Sequence, residues 1–256
     1  MKLIDTHTHL YLPEFDSDRD ETVERALTSG IEKMLLPNID TASVNAMMRT
    51  EERYPGMCYS MIGLHPTSVK NDFLEQLDIL EQKAGQKKFI AVGEIGIDLY
   101  WDKTFINEQI IAFRRQLTFA NNHSLPVAIH SRNAFNEVFS VLEEFKGDMP
   151  KGVFHAFTGS IEDSQKAVSL GFKLGIGGIV TFKNSGLDKI VAETGIYNLV
   201  LETDSPYLAP TPHRGKRCES SFIVLINQKL AEIFNMRPEE TAEITFANSV
   251  ELFNVK

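Results

Sequence analysis

Short apolar runs, each followed by a stretch of helical periodicity, recur eight times along this chain of 256 residues. The runs are Leu3 to Leu10, Lys33 to Ile39, Cys58 to His65, Phe89 to Gly96, Pro126 to Ser131, Gly152 to Phe157, Phe172 to Ile176 and Leu199 to Thr203. Between them the spacing predicts helices over Asp18 to Ser29, Ser43 to Arg53, Asp72 to Ala84, Phe105 to Asn122, Phe135 to Phe145, Glu162 to Leu170 and Leu187 to Thr194. Two more follow the last strand, Ser220 to Phe234 and Pro238 to Phe253. Strand then helix, eight times over, predicts an α/β fold of the (β/α)8 TIM-barrel type. A doubly wound open sheet competes, but no Gly-x-Gly-x-x-Gly opens a first helix. Gly175-Ile176-Gly177-Gly178 reads instead as a crowded strand end where backbone comes close to something. With no linker-like stretch and no low-complexity tract, residues 1 to 256 are expected to form a single barrel domain.

Composition narrows the function classes. No apolar run reaches the ~18 residues of a membrane span, and the first residues lack a signal peptide's basic and apolar segments, so a cytoplasmic protein is expected, with no membrane partner. Cys58 and Cys218 are too far apart for a Cys-x-x-Cys zinc knuckle and too few for a disulfide framework, which leaves His, Asp and Glu to hold any metal. A formal charge of −9 weighs against broad non-specific affinity for nucleic acid while leaving room for a local phosphate site.

The polar residues that interrupt the strand ends carry the chemistry. His7 and His9 form a His-x-His pair whose imidazoles point the same way by the period of two, with Thr6 and Thr8 on the other face. Glu94 closes strand four, His130 strand five and His155 strand six, and Asp204 follows strand eight. All fall at carboxyl ends, the face on which barrel enzymes build their sites, so the six donors can face one centre. They exceed what one tetrahedral ion uses, and a carboxylate can bridge two ions ~3.5–4 Å apart. The reading places His7, His9 and Asp204 on one ion and His130 and His155 on the other, with Glu94 shared. Such donors suit zinc, manganese, nickel, cobalt or iron(II), with magnesium also able to support turnover.

The motifs Ile4-Asp5-Thr6-His7-Thr8-His9-Leu10, Gly63-Leu64-His65-Pro66, Val92-Gly93-Glu94-Ile95-Gly96-Ile97-Asp98, Pro126-Val127-Ala128-Ile129-His130-Ser131-Arg132, His155-Ala156-Phe157-Thr158-Gly159, Glu202-Thr203-Asp204-Ser205-Pro206-Tyr207-Leu208 and His213-Arg214-Gly215-Lys216-Arg217 span nearly the whole chain. In that order they resemble the TatD-type metal-dependent deoxyribonucleases of the amidohydrolase superfamily. The resemblance implies a barrel, a binuclear centre and hydrolysis of DNA phosphodiesters, often from the 3′ end, and its metal ligands fall on the same six positions. Two places depart from the family pattern. Asn133 stands where Asp is usual after Arg132, and Cys218-Glu219-Ser220 where Asn-Glu-Pro is usual after Arg217; both bear on loops near the mouth.

The expected reaction is attack on phosphorus by a metal-activated water, with Asp204 as general base and Glu94 joining the ions. His65, at the end of strand three, is expected to hydrogen-bond a phosphate or leaving oxygen. Glu202, two residues before Asp204, is expected to orient a histidine ligand from behind. Arg132, Arg214, Lys216 and Arg217 are the expected phosphate contacts, and Tyr100 and Trp101 either stack a base or, the reading preferred from sequence, pack their loop. The resemblance implies a DNA substrate, single-stranded or at 3′ ends, and no obligate protein partner is expected. Two rivals stand beside this reading: an amide, ester or lactone hydrolase of the same superfamily, which would not need the basic set, and a non-catalytic metal-binding interaction module.

Overall fold

The computed structural model describes residues 1–255. Eight parallel strands run β1 (Leu3–Asp5), β2 (Ile31–Pro37), β3 (Cys58–Ile62), β4 (Ala91–Asp98), β5 (Val127–Arg132), β6 (Gly152–Phe154), β7 (Lys173–Ile176) and β8 (Leu199–Leu201), each paired with the next in chain order. Helices α1 (Arg19–Thr28), α2 (Val44–Arg53), α3 (Phe73–Ala84), α4 (Ile106–Asn122), α5 (Phe135–Glu143), α6 (Ile161–Ser169) and α7 (Leu187–Thr194) fill the connections, and α8 (Ile223–Phe234) and α9 (Pro238–Phe253) follow β8. This is the TIM barrel expected from the alternation.

The barrel closes through the tails of β1 and β8. Thr6 donates from its N–H and its Oγ1 to Leu201 O at 3.0 and 2.9 Å, Asp204 N–H donates to His7 O at 2.9 Å, and Thr8 bridges Ser205. Asp5 reinforces this seam from within the wall, its carboxylate accepting from Thr203 N–H at 3.0 Å and Thr203 Oγ1 at 2.6 Å. Strands β1 and β8 are therefore shorter than expected: beyond Asp5 and Leu201 the chain bonds through side chains and isolated bridges.

Two apolar layers sit on either side of the wall. Outward residues such as Leu3, Leu36, Ile62, Val92, Ile129, Phe154 and Leu201 pack against the helices. Inward residues Ile4, Leu35, Met61, Ala91, Ala128, Val153 and Val200 fill the barrel, and Leu252, Phe253 and Val255 at the end of the chain plug its floor. The interior is thus a packed core at one end, and the opposite, carboxyl end is where polar side chains collect.

Two strands change parity on the way up. In β4 the register against β5 shifts between Val92 and Ile95, so Ala91 points in while Ile95 and Ile97 point out. Simple alternation from Ala91 would turn Glu94 outward; the shift turns it inward and puts Asp98 on the same face. In β1 the chain bends at Thr6, and His7 and His9 face the mouth although alternation from Ile4 would send Thr6 and Thr8 there. The strand expected to end at Gly96 runs on to Asp98, so Glu94 is a mid-strand residue.

Candidate metal centre

Glu94 stands at the middle of the mouth with its side chain 3% exposed, and its two oxygens face different histidines. Oε2 lies 3.1 Å from His7 Nε2 and 3.7 Å from His9 Nε2. Oε1 lies 2.9 Å from His130 Nδ1, 3.2 Å from His65 Nε2 and 3.5 Å from His155 Nε2. Asp204 closes the His9 side, with Oδ1 3.4 Å from His9 Nε2, 3.8 Å from His7 Nε2 and 4.0 Å from His155 Nε2. Its backbone sits at φ +56°, in the left-handed region that Asp tolerates better than most residues.

Three sets of donors come within 4.8 Å of one another: His7, His9 and Glu94; His7, His155 and Asp204; His65, Glu94 and His130. All six expected donors are therefore brought together. The partition differs in one respect, because His155 stacks on His7, with ring centroids 3.4 Å apart, and shares its set with Asp204. His65, expected to reach for substrate, instead joins His130 beside Glu94. Its Nδ1 lies 2.6 Å from Thr67 Oγ1 and 3.1 Å from Thr67 N, which turns Nε2 toward Glu94.

The supporting shell fixes ring orientations. Tyr11 Oη lies 3.0 Å from His9 Nδ1 and donates to Pro37 O at 2.6 Å. His155 Nδ1 lies 3.1 Å from Glu202 Oε1, off the hydrogen-bond direction, and the same oxygen accepts Ala156 N–H at 2.6 Å. Glu202 lies behind His155, fully buried, and it explains the one glycine of β7: a Cβ on Gly175 would lie 2.1 Å from Glu202 Oε2. Asp98, which closes the Val92-to-Asp98 motif, has a role the sequence did not disclose. Its Oδ2 lies 2.8 Å from His130 Nε2, while Oδ1 accepts the N–H groups of Tyr100 and Trp101 at 2.9 and 3.0 Å. It lies past Gly96, where the strand was expected to end, although the period of two puts it on the same face as Glu94.

Burial and charge act in opposition here. Burial would raise the Glu94 carboxyl, but His65, His155 and His7 around it hold it well below the ordinary range. Asp204 is lowered in the same way, burial being outweighed by His155 and His9. His155 is the converse: burial disfavours its charge, yet Glu202, Glu94 and Asp204 push it up to about 10. His7 is lowered by burial and by His155 beside it. Three overlapping triads drawn from five imidazoles and two carboxylates, each with its nitrogen and oxygen donors inside 4.8 Å, fit borderline divalent cations.

The expected basic set divides. Arg132, Arg214 and Lys216 are exposed, and among the described residues none is in an ion pair. Arg132 Cζ lies 3.8 Å from the Tyr100 ring centroid, and Arg214 Cζ 4.5 Å from that of Phe182. Arg217 does not share this freedom. It grips Asp18 through two contacts of 2.6 and 2.7 Å and donates to Glu14 O at 2.7 Å, so the guanidinium expected to clamp phosphate is committed to the scaffold. Glu219 is committed likewise, to Arg25 at 2.6 Å, and His213 stacks on Phe222. Cys58 and Cys218 are free and buried. Asn133 takes up φ +55°, a conformation open to Asn and Asp alike.

A barrel whose carboxyl-end mouth gathers histidines and carboxylates around one central glutamate defines a metal-dependent hydrolase of the TIM-barrel class. A family model described as TatD related DNase matches residues 4–254, and the chain belongs to that family. It is 36% identical over 254 residues to the uncharacterized metal-dependent hydrolase YabD of Bacillus subtilis, covering 99% of both chains. It is 30% identical to the 3′-5′ ssDNA/RNA exonuclease TatD of Salmonella typhimurium, again covering 99% of both. The crystal structure of the Escherichia coli TatD homologue YjjV superposes with a TM-score of 0.92 at 29% identity, covering 99% of this chain and 98% of that one. Among the described residues no helix is long and apolar enough to cross a membrane.

Proposed function

We propose that this protein is a phosphodiesterase of the cytoplasm that removes nucleotides from the 3′ end of single-stranded DNA, working as one catalytic unit over residues 1–256 with two divalent ions. The observation that carries the reading is the split of Glu94, one oxygen toward His7 and His9 and the other toward His65, His130 and His155. In this reading His7, His9 and Asp204 would hold one ion and His130 and His155 the other, with Glu94 shared; His65, whose Nε2 lies 3.2 Å from Glu94 Oε1, would be a further ligand for the second. Bound there, divalent ions lower the pKa of water to about 7 and neutralise charge that builds on phosphate oxygens.

The chain's own groups do the rest. Asp204 is the carboxylate best placed to take the proton of the attacking water, because its side chain is 15% exposed while that of Glu94 is 3% exposed and that of Glu202 is fully buried. Glu202 and Asp98 hold His155 and His130 in place. Arg132, Arg214 and Lys216 are exposed cations at the carboxyl end, in no ion pair among the described residues, and would meet backbone phosphates. Their presence favours a phosphodiester over a neutral amide, ester or lactone.

The test is end-labelled single-stranded DNA incubated with metal-reconstituted protein. Mononucleotides released from the 3′ end, lost with chelator and reduced at least about 100-fold by Asp204→Asn, support the reading. Intact DNA alongside turnover of an ester or amide panel would transfer the assignment to the rival hydrolase, and no turnover of any substrate would favour the interaction module.

A further inference from the structure

The loop after β4 presents an arrangement that the hydrolytic centre does not use. Trp101 is 69% exposed and Tyr100 53% exposed, so neither ring packs the loop as the sequence suggested. Their rings meet edge to face, 4.9 Å apart at 87°, and Arg132 from the end of β5 lies over both, 3.8 Å from the Tyr100 centroid and 5.4 Å from that of Trp101. Leaving two large rings in water costs hydrophobic burial, and here a structural element holds them there. Asp98 Oδ1 accepts both backbone N–H groups, and Asp98 Oδ2 meets His130, which in turn meets Glu94. Three residues therefore tie the aromatic pair to the centre of the mouth. The nearby acid Asp102 is paired with Lys70 at 3.0 Å and presents no uncompensated charge to an anion.

Resting on the nuclease reading above, we propose that Tyr100, Trp101 and Arg132 form a base-and-phosphate subsite for the single strand whose end is cleaved, with a nucleobase stacked on Trp101. Arg132 lies over the Tyr100 ring and, in no ion pair among the described residues, would offer its N–H groups to a phosphodiester oxygen. Stacking of this kind accepts any base, because every base offers a π face. Asp98 is then a positioning residue that sets the distance between the stacked nucleotide and the bond to be cut.

Trp101 is the chain's single tryptophan, so its emission reports on the site alone. Metal-loaded Asp204→Asn protein is titrated with a single-stranded oligonucleotide and with a strand of equal phosphate count whose 3′-proximal bases have been removed. The base-bearing strand quenches Trp101 and binds about tenfold tighter; equal quenching and affinity for the two strands would overturn the subsite. With otherwise wild-type protein the ratio of KM values, abasic over base-bearing, is expected near about 10, falling to about 1 in Trp101→Ala and largely restored in Trp101→Phe. DNA cleavage with no base preference would remove the subsite and leave the nuclease standing. Failure to cleave either strand, with an ester or amide turned over instead, would remove both.

Discussion

At the residue scale, the central fact is that one carboxylate serves two groups of imidazoles. Glu202 acts on that arrangement through His155 and Ala156, and Gln in its place keeps an oxygen for the Ala156 N–H while losing the charge behind the imidazole. Glu202→Gln is expected to fold and to bind metal roughly 10–100-fold more weakly, as measured by competition with a chelator. Gly175→Ala tests the same contact from the other side. Its Cβ would meet Glu202 Oε2 at 2.1 Å, so the variant is expected to lose about 1–3 kcal/mol in denaturant unfolding. A Gly175→Ala protein as stable as the wild type would show that Glu202 can move aside.

Among the elements, the loop after β8 separates structural cations from free ones. Arg217 holds Asp18 and Arg25 holds Glu219, so Arg217→Gln is expected to cost about 1 kcal/mol of stability, a modest figure because these side chains are partly exposed. Arg217 lowers the Asp18 carboxyl, and Arg25 lowers Glu219 against its burial. Both folded-state values lie below the ordinary 3.8 and 4.5, so their stabilisation is complete above about pH 4.5 and is lost as the pH falls through the folded values. The stability gap between wild type and Glu219→Gln should therefore narrow in acid, read from urea midpoints between pH 7 and 3. A constant gap would mean that the Arg25 contact does not depend on the Glu219 charge.

The same scale shows where the sequence stopped being legible. In β5, β6 and β8 the inward residues Ala128, Val153 and Val200 predict by simple alternation that His130, His155, Glu202 and Asp204 face the mouth. The His7-x-His9 pairing was readable, but its direction relative to Ile4 was not, because the bend at Thr6 is held by bonds to Leu201 and Thr203 far along the chain. The shift in β4 is equally non-local, and Asp98 lies beyond the expected end of that strand at Gly96. The basic set failed at Arg217 for a similar reason: its partner, Asp18, lies at the start of α1, and no local pattern joins them.

Over the whole molecule, the eightfold alternation was sufficient to give the barrel and hence the face on which the donors meet. What it could not give was the seam between β1 and β8, where backbone bonds from Thr6, Asp204 and His9 are reinforced by the side chains of Asp5, Thr6 and Thr203. That seam bears directly on function, since it sets His7 and His9 against Asp204. The claim that this mouth is a two-ion hydrolytic centre is tested most directly by titrating metal-stripped protein with manganese or zinc while following phosphodiester turnover. A bridging Glu94 predicts that activity rises to a plateau at two ions per chain, and that Glu94→Gln retains at most one ion and loses turnover. A plateau at one ion, or two ions retained with full activity in Glu94→Gln, would contradict it.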